Sequence, residues 1–170
     1  KFALWDQTTR VPLFIHAPGL SKDGEKTRQP VTLTDLYPTL CELAGLPIPA
    51  QCDGVSLVPQ LKNPAKKKTT FSLTSFQFGG DSEPSHGVSD DRYRFIRYGN
   101  GFEELYDLEE DPHEFVNLAK EPKFAKVREK LARGVPSDAA KIAVIPKDSP
   151  HHRGRARAPK TFKVFLLAGQ

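Results

Sequence analysis

The 170-residue chain has no methionine, one tryptophan and two cysteines. Cys41 and Cys52 stand outside any CxxC pair, so a thiolate zinc site lacks its ligands. The two can join as a disulfide in an oxidising compartment or stay as two buried thiols. No apolar run approaches the roughly 18 residues that a membrane helix needs, and no signal-peptide pattern is recognisable. No internal repeat is visible. Hydrophobic residues make up 38%, a lean supply for a core, and the length fits one domain or parts of two. The chain opens at Lys1 without Met and closes on the apolar run Val164 to Ala168. Both ends read as cut, and a longer parent polypeptide is expected.

Acidic residues are scarce in one stretch. Residues 141–163 carry seven Lys and Arg against Asp148 alone, so the net charge of +4 belongs to that stretch and the remainder is about −2. Its composition, HHRGRARAPK, has little to bury and reads as a solvated linker rather than a nucleic-acid-binding element.

The strongest local pattern lies at residues 92–118. From Arg92 to Tyr98 aromatic and β-branched residues alternate, with Tyr93, Phe95 and Arg97 on one face and Arg94, Ile96 and Tyr98 on the other. Gly99-Asn100-Gly101 tolerates the positive φ of a hairpin turn, and Phe102 to Asp107 alternates again. An antiparallel hairpin is predicted. Asp111-Pro112 then opens a turn. The acids Asp107, Glu109, Glu110 and Asp111 suit a cation site or, by the usual surface preference of acids, a solvated turn.

Earlier in the chain, Val11 to Ala17 is a short apolar run closed by Pro18-Gly19, which predicts a buried strand with His16 as a core histidine. A helix is predicted next, capped by Thr34 or Asp35 and stopped by Gly45. Leu33, Leu36, Tyr37, Leu40, Cys41 and Ala44 form its apolar face. Residues 63–69, with three consecutive lysines, read as an exposed loop and a subdomain boundary. Thr70 to Phe78 reads as a strand, and 79–87 as a Gly/Ser/Pro loop containing His86. A helix is expected from Pro122 to Arg133, with Phe124, Val127 and Leu131 as its apolar stripe.

The order TRVPLFIHAPG, VTLTDLYPTLCELAGLPIP, DGVSLVPQL, RYRFIRY and EELYDLEEDPHEFVNLA resembles the C-terminal part of sulfatases. The likeness is to the bacterial iduronate-2-sulfatase-like group of the alkaline-phosphatase-like superfamily, and it covers residues 1–135. The resemblance implies an α/β fold: residues 1–62 as the end of the sulfatase α/β domain, and 63–135 as a subdomain with a four-stranded antiparallel sheet and a C-terminal helix. Residues 136–160 are then a basic linker. It also implies hydrolysis of sulfate esters on a sulfated carbohydrate, with a calcium ion and a formylglycine made from Cys or Ser in C/S-x-P-x-R. A secreted or periplasmic location goes with it, with no membrane or nucleic-acid partner.

The departures are chemical. Cys41 is followed by Glu-Leu-Ala-Gly and Cys52 by Asp-Gly-Val-Ser, so neither starts that motif. Ser82-Glu83-Pro84-Ser85-His86 has His where Arg is required. The metal-binding acids are expected upstream, in a missing N-terminal sulfatase half, so the chain alone is expected to be inactive. The resemblance assigns two site residues. Lys1 fits the family's sulfate-binding lysine through the spacing K-x8-R-x-P to Arg10 and Pro12, the alternative being an ordinary terminal lysine; Arg10 is expected to support the fold by pairing. A cation there stabilises charge on the transferring group. Ser85-His86-Gly87-Val88 resembles an N-H-x-V segment near the cleft, which makes His86 a substrate-binding residue, the alternative being an exposed loop histidine without a role.

Residues 161–170, FKVFLLAGQ after Thr161, resemble the first strand of a sialate O-acetylesterase of the SGNH kind and imply a carbohydrate esterase domain. Two other functions compete with the sulfatase. One is a phosphodiesterase or phosphonate hydrolase of the same superfamily. The other is a non-catalytic carbohydrate-binding remnant.

Overall fold

The computed structural model describes residues 3–77 and 83–137. The linker beyond 137 and the esterase-like strand at 161–170 lie outside the described residues. The first part is sparsely structured: a single helical turn α1 (Asp6–Thr9), helix α2 (Leu36–Leu43) entered through a 3-10 turn at Leu33–Asp35, and helix α3 (Val58–Lys62). The second part is a meander of four strands, β1 (Ser72–Phe76), β2 (Ser85–Ser89), β3 (Tyr93–Arg97) and β4 (Glu103–Asp107). A 3-10 turn at Pro122–Phe124 then leads into helix α4 (Ala125–Ala132). The strands pair antiparallel in the order β1-β2-β3-β4.

The alternation of the 92–107 hairpin decides which residues go where. Phe95, Val88 and Leu105 point to one face and bury against Leu131 of α4 and Ala119. Ile96 and Tyr106 point to the other, where Leu4 of the N-terminal segment covers them. Phe95, Ile96 and Leu105 are fully buried. A strand pair with both faces covered needs apolar residues at odd and even positions alike, which is what β3 carries. The stripe of α4 falls as expected, with Leu131 buried and Phe124 and Val127 half-buried against the same face.

Other expectations are corrected. Val11 to Ala17 is not a strand: among the described residues no neighbouring strand lies beside it to supply a hydrogen-bond ladder. Phe14 is 90% exposed, and His16 is an exposed residue 3.6 Å from Asp23 rather than a core histidine. Helix α2 starts and stops as predicted, with the Thr32 N–H donating to Asp35 Oδ2 at 2.9 Å and Gly45 at φ +68°. Its predicted apolar face is the exposed one, however. Leu33, Tyr37 and Leu40 are each more than half exposed, while Asp35, Pro38, Thr39 and Cys41 are buried.

Polar bonds, not apolar packing, orient α2. Asp35 accepts the Thr32 and Val55 N–H groups, each at 2.9 Å, and Lys68 Nζ at 2.6 Å. Thr39 Oγ1 donates to the Asp35 carbonyl at 2.6 Å and accepts the Leu57 N–H at 2.9 Å. The loop at 63–69 is therefore not wholly exposed. Lys68 has its side chain 2% exposed and Asp35 1%. One buried ion pair thus ties the first 62 residues to the segment that leads into the sheet. Gly54 lies so close that a Cβ would run into the Thr34 carbonyl. Cys41 and Cys52 are free thiols, Cys41 buried.

Candidate functional site

His86 lies in β2, not in a loop, and all five residues of that strand are buried. Ser, His and Gly have weak strand propensity, so pairing on both sides makes the strand. His86 stands between Ser75 of β1 and Arg97 of β3. Its Nδ1 shares a hydrogen bond of 2.9 Å with Ser75 Oγ. Burial, and then the Arg97 guanidinium, push the His86 pKa below the ordinary imidazole value. The ring is neutral at neutral pH and able to exchange hydrogen bonds without carrying charge. Arg97 supplies the charge, held by Glu103 through Nε and Nη2, each 2.9 Å from Oε1.

These side chains line a cleft of about 290 Å³ at the end of the sheet, together with Glu83, Tyr98, Gly99 and Pro136. Ser85 Oγ accepts the Gly99 N–H at 3.0 Å and so fixes the rim to the hairpin turn. An imidazole beside a guanidinium offers directed donors to the hydroxyl or anionic oxygens of a sugar. Sequence reasoning reached His86 through the resemblance but missed Arg97, which registers opposite it only once β2 is known to be a strand.

The segment around the other predicted residue is anchored on the opposite sheet face. Lys1 itself lies outside the described residues. Arg94, 2% exposed, donates through Nε to the Leu4 carbonyl at 2.7 Å, reaches the same oxygen through Nη2, and donates through Nη1 to Ser89 Oγ at 2.9 Å. Gly87 makes room for that guanidinium, which a Cβ would strike. The same imagined Cβ would stand 3.3 Å from the Leu4 carbonyl, so the backbone leading from Lys1 runs beside the neighbour of His86. Trp5 Nε1 donates to Glu104 Oε2 at 3.2 Å, and Gln7 Nε2 bonds His113 Nδ1 at 2.9 Å. Tyr98 Oη also donates to Glu104, at 3.1 Å, and burial followed by the Glu104 charge pushes the Tyr98 and Tyr106 phenols up.

Glu114 completes this anchorage. Its Oε2 accepts the Asp6 N–H at 2.7 Å. The residue is buried and has φ +57°, the left-handed region that costs a non-glycine residue about 1–2 kcal/mol. Burial raises its pKa to about 7, against the Asp6 N–H bond and the Arg94 charge that favour the anion. Its Oε1 is buried and has no hydrogen-bond partner among the described residues. Arg10 pairs with Asp6 at 3.3 Å but is 76% exposed, a surface contact.

The acids of the 107–111 turn are engaged locally. Asp107 takes Arg92 Nε at 2.9 Å and Nη2 at 2.6 Å, and Asp111 Oδ2 accepts the Val116 N–H at 2.8 Å. Among the described residues no group of three or more His, Cys, Asp or Glu side chains converges as metal ligands.

Residues 1–140 match the family described as N-sulphoglucosamine sulphohydrolase, C-terminal. The chain belongs to this sulfatase family. It is similar to a sulfatase of Formosa agariphila, 38% identical over 140 residues, covering 82% of this chain and 26% of the relative. It is also similar to a delta 4,5-hexuronate-2-O-sulfatase of Bacteroides thetaiotaomicron, 37% identical over 132 residues, covering 74% of this chain and 27% of that protein. Among solved structures, a phosphonate monoester hydrolase from Silicibacter pomeroyi superposes with a TM-score of 0.55 at 26% identity, covering 69% of this chain and 26% of that one. The family member thus spans about a quarter of the length of the curated relatives it matches. Its sheet and closing helix have the α/β arrangement expected of an alkaline-phosphatase-like sulfatase subdomain.

Proposed function

We propose that this chain is the C-terminal part of a sulfatase that hydrolyses sulfate esters on a glycan. The observation that carries the reading is the family match over residues 1–140, supported by relatives named as sulfatases, one of them acting on a hexuronate. In this reading residues 1–62 end the larger α/β domain, which suits the bare apolar side chains of α2 and of Phe14. Residues 63–135 form the smaller subdomain, 136–160 a linker, and 161–170 the start of an esterase domain. The location is secreted or periplasmic.

Lys1 holds a sulfate oxygen and stabilises charge on the transferring group. His86, neutral and flanked by Arg97, hydrogen-bonds the sugar that carries the ester. Calcium and a formylglycine belong to the proposed activity. The described residues do not fit either group: no metal-ligand cluster is present among them, and neither cysteine begins C-x-P-x-R. No step is therefore assigned to this chain through them.

A second reading, phosphonate or phosphate ester hydrolysis, is favoured by the shared fold with the phosphonate monoester hydrolase. The parent polypeptide assayed on sulfated uronides and on phosphonate monoesters separates the two. Sulfate release at the higher kcat/KM is expected, and preference for the phosphonate overturns the proposal. His86→Ala should raise KM for the sulfated oligosaccharide about tenfold, the loss of roughly one hydrogen bond. An unchanged KM removes His86 from the substrate site.

A further inference from the structure

The outer face of the sheet spends its least ordinary residues on one short piece of backbone. Arg94, buried, grips the Leu4 carbonyl. Glu114, buried and held at positive φ, aims its carboxylate at the Asp6 N–H. These contacts join residues 90 and 108 positions apart, and they fix the backbone of 4–6 from both directions, one through an acceptor and one through a donor. Neither side chain pairs mainly with the other. A structural anchor for an N-terminal segment needs only an apolar plug such as Leu4, which is already fully buried against Ile96 and Tyr106. The extra polar grip sets where the backbone stands to within hydrogen-bond tolerance, a tighter specification than apolar packing provides.

We infer that Glu114 and Arg94 are positioning residues for the proposed sulfatase reaction: by clamping the backbone of Leu4 and Asp6 they set where Lys1 stands. This rests on the reading of Lys1 as the sulfate-binding cation. Lys1 is three residues before Leu4, so their Cα atoms lie within about 11 Å of each other. A tether that short carries an error at Leu4 to the amine. Displacement of a reacting group by about an ångström is enough to cost on the order of a hundredfold in rate. Besides Asp6 and Arg94, the charge of Glu104 acts on Glu114.

The test is a set of variants in the parent enzyme. Glu114→Ala should lower kcat about tenfold or more, while Glu114→Gln, whose amide oxygen still accepts the Asp6 N–H, should recover most of it. Asp6→Pro removes the same hydrogen bond without touching Glu114. Asp6 is the first residue of α1 and Trp5 before it is extended, at φ −68° and ψ 154°, so proline fits there. It should reproduce the Glu114→Ala loss, and it keeps the test open if Glu114→Ala does not fold. Lys1→Ala combined with Asp6→Pro decides the route: a double variant no slower than Lys1→Ala alone supports action through Lys1. Multiplied losses, or a glutamine variant no better than alanine, overturn the positioning role. An unchanged kcat in Lys1→Ala alone instead overturns the reading of Lys1, and the inference with it.

Discussion

The sheet of residues 72–107 is covered on both faces, whereas α2 and the segment before it leave large apolar side chains in water. Phe95, Ile96 and Leu105 are fully buried, while Phe14, Leu33 and Leu40 are 90%, 71% and 63% exposed. Their order along the chain explains the contrast. The meander places consecutive strands side by side, so short connections close a core, with α4 and Leu4 as its two covers. The first 62 residues have no such neighbours among the described residues. Their helix is oriented by Asp35 and Thr39, whose bonds turn the polar side inward. One region is held by apolar burial and the other by a buried polar network, and the two respond to different damage.

The sharpest way to break the comparison is to remove the charge at its hinge. Asp35 and Lys68 are both nearly inaccessible, and Asp35 also holds the N–H groups of Thr32 and Val55. Asp35→Ala leaves a buried ammonium and two backbone donors without partners, a loss of about 3–5 kcal/mol. Replacing both partners, Asp35→Leu with Lys68→Met, should recover part of that loss, since no uncompensated charge remains. Chemical denaturation of the full chain reads both. A cost for Asp35→Ala under about 1 kcal/mol would mean the network does not hold α2.

A smaller effect tests the apolar side. Phe95→Ala should cost about 3–4 kcal/mol, the removal of a fully buried ring from the sheet core. Leu40→Ala in the same chain should stay within about 0.5 kcal/mol, because the side chain already stands in solvent. Equal losses from the two substitutions would show that α2 buries its apolar face after all.

These regions also differ in how far they could be read from sequence. The hairpin was legible because period-two alternation and a Gly-Asn-Gly turn agree, and Gly101 takes φ +85° there. Helix α4 was legible from its stripe, and α2 from its start and stop. The face of α2 was not. Hydrophobic spacing locates an apolar face but does not say whether anything covers it, and the decisive contact, Asp35 with Lys68, spans 33 residues. A lysine run reads as surface unless its partner is known. Strand β2 was missed because its residues are weak strand formers held by both neighbours, and with it went the pairing of His86 with Arg97. The run at 11–17 has strand composition, but composition cannot supply a second strand. Glu114 carried no signal at all: positive φ at a glutamate is set by the surrounding turn and its partners.

The finest distinction concerns pH, at the junction where the sheet meets the N-terminal segment. Glu114 has its pKa raised to about 7, chiefly by burial. In the unfolded chain it titrates near the ordinary glutamate value of about 4.3. Between those two values the folded state binds the extra proton, so stability falls as pH rises through that window and levels off above it. Glu114→Gln keeps the acceptor for Asp6 and cannot ionise. Its melting temperature relative to the unsubstituted chain should therefore climb steadily from pH 4.5 to pH 7.5. His86 works in the opposite sense: its lowered pKa makes stability fall as pH drops through its unfolded value, in both proteins alike. Taking the difference between the two melting curves cancels His86 and leaves Glu114. A difference that stays flat across the window would show that the carboxyl at Asp6 is ionised throughout, gripped by Arg94 strongly enough to overcome its burial.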